Sequence, residues 1–370
     1  MTNTAQNTLM NAVLIILGAY AAISGVVKAK GFLMPITVAG LLAMLLLPLS
    51  YMFERWRMGR TLATFISITF LLALAIGLNF LLIKQVQSFS QSLPQMMDEL
   101  QPRLERLNDY ISEQTGVSPW KQRQQLKTII QERMLNIGSS ALGLISDVQH
   151  FLQTTLLIFV YTFFFILYRD RFLGFILLLI PEEKRSEVQE IIRSSSKIAQ
   201  EYILGRIILI VFLALIYYAG FSAVSLKHTL FLSGLVAVLS VIPYLGNIIG
   251  LLFALGVGLL TGMGLGQLLG LIIIFSVAQV IESYILEPYI VGHRVELNAV
   301  MTIIAIVLGG AVWGVIGIII ALPVIGIAKV ICDHVQPLHP FGYLLGGEGG
   351  FTMDSIRTFK NKVKTIISSH

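Results

Sequence analysis

Long apolar runs separated by short charged segments dominate the chain. Runs without any charged residue cover positions 9–27, 31–53, 61–83 and 151–168, and similar apolar runs cover 203–226, 229–262, 266–286 and 298–331. A membrane helix needs about 20 apolar residues to cross about 30 Å of hydrocarbon. Because the apolar residues are continuous rather than alternating, the pattern predicts helices and not the strands of a barrel. We therefore expect an all-α polytopic membrane protein with about eight transmembrane segments.

Two of these runs are too long for one crossing. Runs 229–262 and 298–331 would each extend about 51 Å if fully helical at 1.5 Å per residue. The first contains Pro243, Tyr244 and Gly246 near its middle, and the second contains Gly309 and Gly310. Proline lacks the amide proton and glycine is a weak helix former, so each run is predicted to be a broken helix or a re-entrant hairpin. Paired interruptions of this kind point to a transporter's binding site, although a kink or a close-packing notch would also explain them.

A polar segment separates the third run from the fourth, and its apolar residues recur at helical spacing, which predicts a small helical insert outside the bilayer. The predicted organisation has five parts. They are transmembrane helices 1–3 in 1–83, the extramembrane helical insert in 84–150, a fourth transmembrane helix with an amphipathic linker helix in 151–202, a transport core with discontinuous helices in 203–331, and a cytoplasmic tail with a basic amphipathic helix in 332–370.

Composition and charge agree with a lipid environment. Hydrophobic residues make up 56% of the chain and charged residues only 12%, whereas a soluble domain carries about 25% charged residues. The formal net charge is +6, and the basic residues flank apolar runs, so membrane lipid is the expected partner and nucleic acid is not. Arginines cluster at the loops after the second and fourth runs, which predicts that these loops and both termini are cytoplasmic.

Ionisable residues inside apolar runs mark the candidate chemistry, because they are costly to place there. Glu282 lies in the run 266–286, and Gln279 and Glu287 would lie on one face of the same helix. The functional interpretation is a cation or proton site, or an acceptor for a substrate hydroxyl. The structural alternative is that Glu282 pairs with Arg206 or Arg294, while Glu287 lies at the membrane interface before Pro288.

Asn247 directly follows the first interruption, where it would offer its amide to a ligand or cap a helix.

Sequence motifs for other kinds of chemistry are scarce. The sequence contains no phosphate-binding loop with a glycine–lysine–serine or threonine motif, so the chain does not by itself use ATP. No catalytic constellation or familiar metal-ligand spacing is present, so we expect no enzyme, no metal site, and no cofactor beyond Na⁺ or H⁺ as a coupling ion.

The second half of the chain resembles the autoinducer-2 exporter family of bacterial permeases. The matching motifs are Tyr202-Ile203-Leu204-Gly205-Arg206, Ile242-Pro243-Tyr244-Leu245-Gly246, Glu282-Ser283-Tyr284 through Glu287-Pro288, Gly292, and Gly309-Gly310 through Gly314, Gly317 and Pro323. The first half agrees in its layout of three spans followed by an insert. The sequence departs from the family at Asn247, where proline is frequent, and at Arg206, where glutamine is common.

This resemblance implies export of a small polar solute such as autoinducer-2 in some members, and exchange of Na⁺ or Li⁺ for protons in others. It also implies homo-oligomers, suspected to be pentamers, and discontinuous hairpins. Three hypotheses follow: an exporter whose site is shaped by Pro243, Gly246, Asn247 and Gly309-Gly310, a cation/proton antiporter in which Glu282 titrates, or a membrane scaffold that transports nothing. The predicted binding residues are Pro243, Tyr244, Gly246, Asn247, Gln279, Glu282, Glu287, Gly309 and Gly310, and the predicted structural or pairing residues are Arg206, Pro288, Gly292, Arg294, Gly314, Gly317 and Pro323.

Overall fold

A computed structural model describes residues 10, 13–14, 17–18, 20–21, 23–115, 153–242, 245–291 and 297–346. Within these ranges the regular elements are helices, and the only β-type pairing is an isolated bridge between Leu297 and Gly346. Five of the helices are long and apolar enough to cross a membrane, and shorter apolar helices accompany them. The prediction of an all-α polytopic membrane protein is confirmed.

The helices follow one another with short connections. In chain order they are α1 (Lys30–Arg55), α2 (Arg60–Thr115), α3 (Gln153–Leu167), α4 (Arg169–Leu178), α5 (Arg185–Ala223), α6 (Thr229–Leu239), α7 (Leu245–Leu260), α8 (Leu265–Ile281), α9 (Ala299–Trp313), α10 (Val315–His334) and α11 (His339–Leu345). A π-helical segment, Glu282–Val291, continues α8, and short 3₁₀ turns occupy Glu182–Lys184 and Gln336–Leu338. The predictions for residues 116–150 and for the tail after Gly346 concern residues outside the described ranges.

Two of the helices are longer than one membrane crossing requires. Helix α2 has 56 residues and continues without interruption from the third apolar run into the predicted insert. Helix α5 has 39 residues, so the predicted amphipathic linker and the fifth apolar run form one helix. No proline lies within α5, and in hydrocarbon an unbroken helix satisfies every backbone group.

The chain divides into two compact units. The first comprises the described residues of Met1–Ile68, Ile158–Arg206 and Ile290–His370, and the second comprises those of Thr69–Leu157 and Ile207–Tyr289. Helices α1, α4, α9, α10 and α11 lie wholly in the first unit and α6, α7 and α8 wholly in the second, whereas α2, α3 and α5 each contribute residues to both.

Polar side chains bonded to main-chain carbonyls join the helices of the first unit. Thr162 Oγ1 donates to the carbonyl of Ala39 at 3.4 Å, and Gln200 Nε2 donates to the carbonyl of Met44 at 2.7 Å. Leu41 of α1, Ala199 of α5 and Ile320 of α10 form a small buried apolar cluster. Since lipid is as apolar as leucine, close packing and such hydrogen bonds hold membrane helices together.

Helices α9 and α10 form a tight hairpin. The helix break predicted in this part of the chain is present, but its predicted position at Gly309 and Gly310 was wrong, because α9 runs through both glycines and ends at Trp313. The chain turns at Gly314, whose φ of +68° suits glycine. Gly309 instead contacts Gly317 of α10, where a side chain on either residue would overlap the other's carbonyl group. The two glycines therefore serve close packing, while intrahelical hydrogen bonds outweigh their weak helix propensity.

The second unit contains the other predicted break. Helix α6 ends at Leu239 and α7 begins at Leu245, which confirms an interruption in the run 229–262. Gly246 is buried, and an added side-chain carbon there would overlap the carbonyl of Leu239. Pro243 and Tyr244 lie outside the described residues. The return from α7 to α8 is similarly close, because Gly258 faces Met263 and Leu271.

The contact between Gly309 and Gly317 predicts that alanine substitutions at different glycines will differ strongly in their effect on stability. Gly317→Ala should lower the free energy of unfolding by about 1–3 kcal/mol, because the new methyl group would overlap the main chain of Gly309. Gly40→Ala on α1 is the matched control, since nothing lies within 4 Å of its added carbon. We expect the control to be neutral or stabilising. Thermal unfolding of the two variants in detergent measures the difference, and equal midpoints would contradict close packing at the hairpin.

Candidate functional site

A change in helix type occurs at Glu282. Helix α8 is α-helical to Ile281, and residues Glu282–Val291 then form a π-helical segment. A π-helix pairs each N–H with the carbonyl five residues earlier, which widens the turn, and such segments are frequent at functional sites. Pro288 lies within the segment and has no N–H to contribute to any helical ladder. Glu282 thus sits where the regular spacing of side chains on α8 ends.

Asn247 connects three helices of the second unit through its side-chain amide. Its Nδ2 donates to Glu282 Oε2 at 2.8 Å and also to Gln279 Oε1. Its Oδ1 accepts a hydrogen bond of 3.4 Å from the hydroxyl of Tyr217 on α5. Gln279 Nε2 donates in turn to Ser283 Oγ at 3.0 Å. We refer to Tyr217, Asn247, Gln279, Glu282 and Ser283 as the polar cluster.

The polar cluster runs from a buried end to an exposed end. Tyr217 is 0% exposed and Glu282 is 6% exposed, whereas Gln279 and Ser283 are exposed. The ring of Tyr217 packs on Phe275 with centroids 4.9 Å apart. Since burying a carboxylate among apolar side chains is costly, the amide donor from Asn247 offsets part of that cost. The cluster therefore offers hydrogen-bonding groups at an accessible surface, backed by a carboxylate held in a mostly apolar setting.

The local fold explains why Asn247 reaches these partners. It lies in the first turn of α7, directly after the break that follows α6. The first N–H groups of a helix have no intrahelical partner and carry a partial positive charge, which favours acidic groups nearby. Because the chain restarts at Leu245, Asn247 is placed at such an end rather than in the middle of a long helix.

The structure brings together some of the sequence-predicted residues and not others. Asn247, Gln279 and Glu282 meet in the polar cluster. Glu287 was predicted to share a face with Gln279, but it lies within the π-helical segment, where wider turns change the side-chain angles, and it is exposed. Gly309 and Gly310 lie in the hairpin of the first unit.

The predicted structural residues are also partly placed. Arg206 is buried within α5 at 8% exposure. Gly317 and Pro323 are buried within α10. Gly292 and Arg294 lie outside the described residues, so the predicted pairing of Arg294 is not described.

Tyr217 is the member of the polar cluster that sequence reasoning missed. It stands in a run of aliphatic residues on α5 and its side chain is fully buried. A buried tyrosine usually finds a partner for its hydroxyl, so a tyrosine inside an apolar run was a usable signal. The identity of that partner depended on the fold, because Asn247 is thirty positions away.

Comparison with known proteins places the chain in a family. A sequence model described as AI-2E family transporter matches residues 9–336, which is most of the chain. The chain belongs to the AI-2E transporter family. This confirms the family predicted from the motifs of the second half, and extends it over the first.

Several curated relatives cover most of the chain. YueF of Bacillus subtilis is 24% identical over 308 residues, which is 80% of this chain and 82% of that protein. A Synechocystis protein, sll0063, is 24% identical over 316 residues, 82% of this chain and 78% of its own length. YhhT of Escherichia coli is 20% identical over 326 residues, covering 88% and 90% of the two chains. Their names assign them to transport without giving a substrate, and this chain is accordingly a multi-pass membrane protein of a transport family.

The bond between Asn247 and Glu282 should be measurable as a coupling energy. A double-mutant cycle with Asn247→Ala and Glu282→Gln should give an interaction of about 1 kcal/mol, because glutamine keeps an acceptor oxygen but lacks the charge that strengthens the bond. The measurement is the free energy of unfolding in mild detergent.

Gln267 supplies the control for that cycle. It lies on the same helix about 22 Å from Glu282 along the axis, and its side chain bonds to the carbonyl of Val224 instead. A cycle of Gln267→Ala with Glu282→Gln should give less than about 0.5 kcal/mol. Equal coupling in the two cycles would show that Asn247 has no specific interaction with the carboxylate.

Proposed function

We propose that the chain exports a small polar solute by secondary transport, and that the polar cluster is its solute-binding site. The supporting observation is the side-chain amide of Asn247, which bonds both Gln279 and the buried Glu282 beside a helix break in an otherwise apolar unit. Ionisable residues buried in membrane segments are rare and often mark solute or ion pathways. Transporter sites are commonly formed where membrane helices are discontinuous.

The chemistry of the cluster favours a neutral solute rich in hydroxyl or carbonyl groups. Asn247 and Gln279 each carry both a donor and an acceptor, and Ser283 adds a hydroxyl. A bound solute would exchange the bond between Asn247 and Gln279 for its own hydrogen bonds, so the amides stay satisfied with and without it. The furanone-derived signal autoinducer-2 has this chemistry, and the family resemblance suggests it as the first solute to test.

Glu282 supplies a means of coupling to an ion gradient. Glu282 Oε2 accepts a hydrogen bond from Asn247 Nδ2, and uptake of a proton by the carboxylate would weaken this bond and free the amide for solute. We therefore assign H⁺ as the first candidate coupling ion. We further propose a bacterial inner-membrane location, which the family resemblance suggests. Cytoplasmic termini are supported by the arginines at the end of α1 and the start of α4. We also propose a homo-oligomer, and the family resemblance suggests a pentamer.

Solute efflux from proteoliposomes tests the proposal. Vesicles loaded with autoinducer-2 should release it faster than protein-free vesicles. Asn247→Leu should reduce the rate at least tenfold, because it removes the donor of the 2.8 Å hydrogen bond, and Glu282→Gln should do so because it removes the charge of the acceptor. Glu190→Gln is the matched control, since Glu190 is an exposed residue of α5 outside the cluster. Release equal to that of empty vesicles would exclude this solute. If the unsubstituted protein transports a solute and both Glu282→Gln and Asn247→Leu transport it at the full rate, the polar cluster is not the binding site.

Cation/proton antiport is the second candidate, favoured by the burial of Glu282 at 6% exposure. A carboxylate in an apolar setting can bind either a proton or Na⁺, which would support exchange of the two. An imposed Na⁺ gradient should then acidify or alkalinise the vesicle lumen, as read by a pH-sensitive dye, and Glu282→Gln should abolish the signal while Glu190→Gln retains it. Proton movement that persists in Glu282→Gln would reject this role for the carboxylate.

A further inference from the structure

A large cleft in the first unit is separate from the polar cluster. It lies between the end of α1, the start of α4 and the first half of α5, and its volume is about 1120 Å³. Its lining comes from side chains such as Tyr51, Arg55, Arg169, Gln189, Arg193 and Lys197. No residue of the polar cluster contributes to it.

The cleft carries an excess of positive charge. Four of its lining residues are basic (Arg55, Arg169, Arg193 and Lys197), and two are acidic (Glu54 and Asp170). Both acids are already engaged, because Glu54 Oε2 lies 2.6 Å from Arg169 Nη2 and Asp170 Oδ2 lies 2.5 Å from Arg60 Nη2.

The remaining cations of the cleft face it without a counter-charge. Arg55, Arg193 and Lys197 form no ion pair with any residue that the structure describes. All three are exposed. The cleft therefore presents three uncompensated positive charges toward any anion that enters it.

Arg169 anchors the cleft from its inner wall. Its side chain is 10% exposed, and its guanidinium lies 4.2 Å from the centre of the Tyr51 ring. Only Nη2 is bonded to Glu54, whereas the buried Nε and Nη1 have no hydrogen-bond partner in the described part of the chain. Asp170 Oδ1 lies 4.0 Å from Nε, too far for a hydrogen bond. Buried guanidinium groups normally have their donors satisfied, so this one is suited to an incoming acceptor.

The neighbouring surface is apolar. Helix α4 exposes Phe172, Phe175 and Leu178 at 46%, 62% and 79%. An apolar helix surface next to a basic cleft is the arrangement that receives an acyl chain and a negatively charged headgroup together.

We propose that this cleft binds the phosphate of an anionic membrane phospholipid. Arg193 and Lys197 contact the phosphate, Arg169 provides the inner donors, and the apolar surface of α4 lies against the acyl chains. Arginine suits this role because its planar group binds phosphate oxygens in pairs. A cleft of this volume is larger than a free phosphate ion requires, which favours a headgroup.

Lipid retention by the purified full chain tests the proposal. The protein is reconstituted with equal amounts of phosphatidylglycerol and phosphatidylcholine, extracted in mild detergent, and its retained lipids are counted by native mass spectrometry. The unsubstituted protein should retain phosphatidylglycerol selectively. The double variant Arg193→Gln with Lys197→Gln should lose about 30-fold in that selectivity, because each basic group near an anionic surface contributes about fivefold.

Two further double variants distinguish lipid binding at the cleft from a general effect of surface charge and from misfolding. Arg171→Gln with Lys184→Gln removes the same charge from exposed residues outside the cleft and should change selectivity less than twofold. Arg193→Lys with Lys197→Arg keeps both charges and should retain the lipid. Equal retention of the two lipids by the unsubstituted protein, or equal losses in the two glutamine variants, would overturn the proposal.

Titration with inorganic phosphate forms a separate arm, and saturable phosphate binding without lipid selectivity would overturn the assignment to a lipid.

Discussion

Backbone hydrogen bonding in a medium without water governs this structure. An N–H or C=O group exposed to hydrocarbon costs several kcal/mol, so a chain of this composition must close its hydrogen bonds within each segment. The described residues do this with helices and with short turns that retain their own bonds. Asn298 caps α9 by accepting from Val300 N–H at 3.0 Å, and Gly246 N–H donates to the carbonyl of Ile242 across the break between α6 and α7.

The same constraint explains where polar side chains occur. Thr162 and Gln200 donate to carbonyls of α1 and fix helix contacts, since lipid provides no hydrophobic drive for helix association. Asn247 differs from them, because its amide bonds side chains rather than carbonyls and one of those side chains is an acid. A buried acid beside a helix break is the reason for proposing transport chemistry in the second unit.

Local pattern was sufficient to predict the helices, since continuous apolar runs of membrane length have few alternatives. It also located the break near Gly246. It failed to distinguish a glycine that turns the chain from one that permits contact: Gly314 has the positive φ, whereas Gly309 has a neighbour on α10. That distinction depends on a partner helix and is invisible in local propensity.

Non-local pairing limited the prediction of the sites in the same way. Gln279 and Glu282 were predicted from their position on one helix. The part played by Tyr217 depends on which helices become neighbours. The same holds for the pairing of Arg169 with Glu54, which lie 115 positions apart. The π-helical segment beginning at Glu282 was also unpredictable from spacing, because it changes the spacing itself.

The contact of Gly309 with Gly317 has an entropic consequence. Burying a long side chain such as methionine removes up to about 2 kcal/mol of rotamer freedom, whereas glycine has no side-chain torsion to lose. Where these two residues meet, the main chains of α9 and α10 approach each other directly. Ordering this contact therefore restricts backbone torsions only, and those were already fixed when each helix formed.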